Sequence, residues 1–79
     1  MPTIKRFCRC RIEMYFDDHP PPHFHVITCN DECIAVFIES LLIRTGAADP
    51  RDTAEAFAWA RANRPELRLR WQRYSEELS

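Results

Sequence analysis

The chain reads as an α+β fold: a three- to four-stranded antiparallel meander followed by two C-terminal helices packed on one face. Three observations predict it. Residues 8–16 alternate apolar and polar with a period of two, residues 23–38 continue in short β-branched and aromatic runs, and after Asp49-Pro50 the period changes to that of a helix. Strands come first and helices last, the order of an α+β domain rather than of a βαβ repeat.

The elements follow in turn. Cys8, Cys10, Ile12, Met14 and Phe16 form the apolar side of the first expected strand, with Arg9, Arg11 and Glu13 between them, so both Cys8 and Cys10 are expected to face the core. Asp17-Asp18 ends it. Pro20-Pro21-Pro22 offers no N–H to a ladder and forms a stiff connection. Phe24 to Thr28 is the second strand. Asn30-Asp31 is turn chemistry, and Cys33 to Ile38 is the third strand, apolar on both faces. In a three-residue loop spanning Asn30 to Glu32, Cys29 and Cys33 would face each other across the hairpin, and a reducing compartment would keep them as thiols. Glu39-Ser40 reverses the chain into a short fourth strand at Leu41-Leu42-Ile43.

Asp49 has the chemistry of an N-cap, with Pro50 at the first helical position and Asp52 near the positive end of the dipole. This helix is expected to reach Ala62, with Ala56, Trp59, Ala60 and Asn63 on its inner face. A second opens at Pro65 and carries Leu67, Trp71, Tyr74 and Leu78 on one stripe.

Composition bounds function. Seventy-nine residues hold one core, so residues 1–79 are expected to be a single domain whose small size favours work in company, including a homo-oligomer. Eleven basic side chains against twelve acidic argue against a non-specific nucleic-acid binder. Arg64, Arg68 and their arginine neighbours nevertheless make a local basic surface in residues 61–73, a solvated face or one turned to a partner or RNA. No apolar run reaches membrane-spanning length and none follows Met1 to Arg6 as a leader, so no membrane association and a cytoplasmic location are expected. A single glycine excludes glycine-rich phosphate loops.

The segment from Asp18 to His25 concentrates every histidine of the chain. His23 and His25 are two apart on a strand and leave the face opposite Phe24 and Val26. The cluster admits three roles. The histidines are struts of a rigid proline corner; or His23, His25 and Asp18 hold a divalent metal such as zinc or nickel, where otherwise no cofactor is expected; or His19, His23 and His25 act as general acid and base in metal-independent RNA cleavage, beside an arginine that stabilises the phosphorane-like charge. His19 joins the other two if the proline run bends. Trp59 and Trp71 have the spacing of core residues.

Met1-Pro2-Thr3-Ile4, Arg6-Phe7, Ile12, Met14-Tyr15, the block DHPPPHFHV from Asp18 to Val26, and Trp59, Asn63-Arg64, Glu66-Leu67 and Trp71 together resemble a family of small bacterial proteins, domain of unknown function 4160 (DUF4160). The resemblance covers nearly the whole chain. Asp18, His19, Pro21, Pro22, His23, Phe24, His25 and Val26 match the family block, which varies where Pro20 stands. It implies a small α+β fold and a gene often placed beside one for domain of unknown function 2442 (DUF2442), suggestive of a toxin–antitoxin-like pair. The four cysteines fall where the family requires none, and Glu39-Ser40 replaces its usual Thr-Gly turn. The leading expectation is therefore a partner-binding module, with Asp18, Pro21, Pro22, Phe24, Arg64 and Arg68 as binding residues. Ribonuclease activity through His19, His23 and His25, and divalent-metal binding, are the alternatives.

Overall fold

The computed structural model describes residues 3–15 and 20–78, with side chains through residue 73. It is an α+β structure: a five-stranded antiparallel meander in the order β1-β2-β3-β4-β5, followed by two helices. The strands are β1 (Thr3–Arg6), β2 (Cys10–Glu13), β3 (His23–Thr28), β4 (Cys33–Phe37) and β5 (Ile43–Gly46); the helices are α1 (Pro50–Ala62) and α2 (Arg64–Leu78).

One more strand is present than the alternation implies. Of the run expected as one strand over residues 8–16, Cys10–Glu13 is the second arm of a hairpin whose turn is closed by the Phe7 amide donating to the Cys10 carbonyl at 2.7 Å, and Phe16 lies outside the described residues. Cys10, Ile12 and Met14 do face the core, but Cys8 sits in that turn and is exposed. The next hairpin is shifted by one residue from the expected frame. The Thr28 amide donates to the Glu32 carbonyl at 2.8 Å, so the loop is Cys29-Asn30-Asp31, and Cys33 stands opposite Ile27 instead of Cys29. All four cysteines are thiols. The last strand starts two residues later than expected and runs to Gly46, because Ile38 to Leu41 form the turn.

The rows Ile12–Val26–Ile34 and Phe24–Val36 lie in register across the sheet and are buried. α1 covers this face through Ala56 and Ala60, whose small side chains, one turn apart, let the helix lie close to β2 and β3. Asp49 caps α1 as expected, its carboxylate accepting from the Arg51 amide at 2.9 Å. The Asp52 carboxylate accepts from Arg9 at 3.5 Å and from Asn30 at 3.3 Å, which pins the first turn of α1 to the loops at one sheet end.

α2 works at the other end. Leu67 enters the core, Trp71 packs at its rim, and Arg68 pairs with Glu39 through two hydrogen bonds of 2.5 and 2.9 Å. This helix therefore lies across the end where β3 begins and β4 stops. Among the described residues no helix is long and apolar enough to cross a membrane.

Candidate functional site

The histidine segment enters the sheet at this end. The Pro22 carbonyl accepts from the Ile38 amide at 3.2 Å, and His23 pairs with Phe37 in register. Strand alternation then puts His23 and His25 side by side, ring centroids 5.2 Å apart, away from the wholly buried Phe24 and Val26. Asp18 and His19 lie outside the described residues. Phe24 is a core residue with no exposed surface, so its ring serves packing and offers nothing to a partner.

The two imidazoles differ. His23 is only 3% exposed. Its Nδ1 lies 2.9 Å from the Pro21 carbonyl, and since a carbonyl only accepts, Nδ1 carries the proton of that bond. Trp71 of α2 packs against the ring at 5.3 Å, and the Arg44 guanidinium stands 3.5 Å from both ring nitrogens. His25 is half-buried, with the Tyr15 ring 4.8 Å away.

A polar row continues from His25. His25 pairs in register with Glu13, a carboxylate only 6% exposed that accepts from the Tyr15 hydroxyl at 2.5 Å, Arg11 Nε at 2.7 Å and the Thr3 hydroxyl at 3.5 Å. These donors, Tyr15 first and then Arg11, hold Glu13 below the usual carboxylate range. The same bond pushes Tyr15 up to about 12. Glu13 is thus kept ionised and Tyr15 protonated, which suits a fixed hydrogen-bonded layer better than proton transfer near neutrality.

Of the arginines expected to form a basic surface, Arg68 is engaged by Glu39, while Arg64 is half-buried with its Nε out of solvent and without a hydrogen-bond partner among the described residues. Pro21 is exposed and Pro22 partly so. The structure thereby brings Pro21, Pro22, His23, Arg64 and Arg68 to one end of the sheet. It adds Arg44, which no sequence pattern singles out because an irregular step in the β4–β5 register places it, and the Glu13–Tyr15 pair, which the shared face of residues 11, 13 and 15 signals. A shallow pocket of about 170 Å³ lies at the opposite strand ends, lined by Arg6, Cys8, Arg9 and Cys29 among others, away from the histidines.

A small antiparallel sheet with two helices laid over one face and one end, carrying a buried histidine beside an exposed proline corner, defines a compact α+β module. The family profile described as "Domain of unknown function (DUF4160)" matches residues 10–72, and the chain belongs to that family. No curated protein matches it. No solved structure does either.

Proposed function

We propose that this chain is a protein-binding module, one half of a toxin–antitoxin-like pair, that meets its partner with the sheet end formed by Pro21, Pro22, Arg44, Arg64 and Arg68. The observation that carries this reading is the burial of His23 beneath Trp71 and Arg44, with its Nδ1 proton committed to the Pro21 carbonyl. A histidine used in this way stiffens a surface; it does not present an imidazole to a scissile phosphate. The proline corner it braces is exposed and poor in conformational freedom, so it loses little entropy on binding. The partner implied by the family resemblance is a DUF2442-type protein encoded by an adjacent gene, and the setting is cytoplasmic.

The test is co-expression with the product of that gene. Co-purification of the two at micromolar concentration is expected, with growth altered when one is made without the other. A purified chain that ignores the product counts against the proposal. Total RNA is followed in the same cultures: cleavage by the wild type that a His23→Ala/His25→Ala double mutant lacks would favour the ribonuclease reading instead. Zinc or nickel found by elemental analysis of untagged protein would favour the metal reading.

A further inference from the structure

The two edges of the sheet are built differently. β1 carries two adjacent exposed cations, Lys5 and Arg6, and charged side chains on an edge, lysine above all, resist pairing with another strand. β5 has neither lysine nor proline, carries one charged residue, Arg44, whose guanidinium lies against His23, is exposed along its whole length, and pairs on one side only, with β4. Two large apolar side chains lead into it, Leu42 at 66% and Ile43 at 51% exposed.

The charge beside this edge is one-sided. Arg44 touches His23 but forms no ion pair with a carboxylate among the described residues. Arg64 lies close enough to Glu39 to help hold its carboxyl low, yet its Nε has no partner. Arg68 is already matched by Glu39. Among the described residues, three guanidinium groups thus meet one carboxylate around the β4–β5 turn. A second copy of this chain pairing about a two-fold axis through β5 would bring Arg44 toward its own mate, with no carboxylate among the described residues paired to either.

From this asymmetry we infer that β5 takes an extended, acidic and apolar segment of the partner as a sixth strand, its backbone completing the outer ladder, its apolar residues covering Leu42 and Ile43, and its carboxylates meeting Arg44 and Arg64. The inference rests on the protein-binding reading and specifies the partner's chemistry.

Two synthetic peptides test it, one alternating valine with glutamate and the other valine with lysine, titrated into labelled full-length protein while backbone amide resonances are followed. The glutamate peptide is expected to shift the amides of Ile43 to Gly46 and to bind at least about tenfold more tightly than the lysine peptide. The preference should collapse in Arg44→Gln/Arg64→Gln. Ile43→Lys, or Leu42→Lys if the first does not fold, should weaken binding by a similar factor with an unchanged circular dichroism spectrum. Equal binding of the two peptides, shifts confined to β1, or no binding at millimolar concentration overturns the inference. So does a dimer that Ile43→Lys converts to monomer, which would make a second copy the occupant. If the adjacent gene product co-purifies equally with wild type and Ile43→Lys, the edge inference fails while the protein-binding reading stands; if it does not bind the wild type, the reading itself fails.

Discussion

The Tyr15 hydroxyl donates to Glu13 Oε1 at 2.5 Å, and this bond couples two groups that titrate at opposite ends of the pH scale. Glu13 is lowered from its ordinary value of 4.5, chiefly by Tyr15 and then by Arg11, so the stability it contributes is present above pH 4.5 and is lost as pH falls through the folded value. Tyr15 is raised from 10 to about 12, chiefly by Glu13, so its contribution is complete below pH 10 and is lost as pH rises through about 12. Urea midpoints across both ranges are expected to show these two losses in the wild type. Tyr15→Phe should remove the alkaline loss and shrink the acid one. In Tyr74→Phe, which leaves Tyr15 as the one remaining tyrosine, phenolate absorbance should appear near pH 12; native titration near 10 would contradict the pairing.

Asp31 adopts φ 63° in the loop between β3 and β4, a left-handed conformation that a residue with a Cβ enters at a cost. Its side chain is exposed, and the loop is held from elsewhere: the Thr28 hydroxyl accepts from the amides of Asn30 at 3.3 Å and Glu32 at 3.1 Å. Asp31→Gly is therefore expected to stabilise the fold by about 0.5–1 kcal/mol, read as a higher urea midpoint with an unchanged slope. A lower midpoint would show that the Asp31 side chain contributes something its exposed position does not suggest.

Gly46, the single glycine, has φ 87°, and a Cβ built on it would lie 2.2 Å from the Cys33 carbonyl oxygen. Both the conformation and the space require glycine here. The contact is with backbone, so no side chain can move aside. Gly46→Ala is expected to cost at least about 2 kcal/mol, the backbone strain plus displacement of β5 from β4. Thermal unfolding measures it, and loss of amide protection concentrated in residues 43–46 would locate it.

These turns show what the sequence could and could not disclose. Alternation identified Cys10, Ile12 and Met14 as core, and the Asp49-Pro50 pair located the start of α1, because both signals are local. Thr3–Arg6 has no period to read; it is a strand because β2 offers it a ladder, and the turn between them takes Cys8 out to solvent. Asn30-Asp31 marked a turn, but the frame depends on which residue takes the left-handed position and on the Thr28 hydroxyl, and the one-residue difference separates Cys29 from Cys33. At the site, strand parity paired His23 with His25. Their unequal burial comes from α2 and the bulged β5, which are distant in sequence.

That inequality has its own consequence. His23→Ala removes a buried ring packed against Trp71 and leaves the Pro21 carbonyl without its donor, so a loss of about 2–3 kcal/mol is expected. His25 is half-buried and its replacement should cost about 1 kcal/mol or less. Chemical denaturation of the single variants checks the order. Equal, small effects would return His23 to the set of freely presented imidazoles and weaken the case for a bracing role.

The four thiols supply a last check on the packing. Cys10 is buried at the core's edge, and burial pushes its thiol up, so it is expected to resist alkylation until the chain unfolds. Cys8 and Cys29 are exposed in loops that border the shallow pocket at the far sheet end, where a small reagent reaches them without any opening of the fold. Cys33 is exposed as a residue, but partial burial of its sulfur and the nearby Glu13 carboxylate push its thiol up, since both oppose the thiolate. Iodoacetamide labelling at pH 8 followed by peptide mass analysis should therefore find Cys8 and Cys29 first, Cys33 more slowly, and Cys10 last. Early labelling of Cys10 would mean that α1 leaves the sheet readily. A disulfide between Cys29 and Cys33 in protein purified under reductant would contradict the loop frame, because Cys33 lies opposite Ile27.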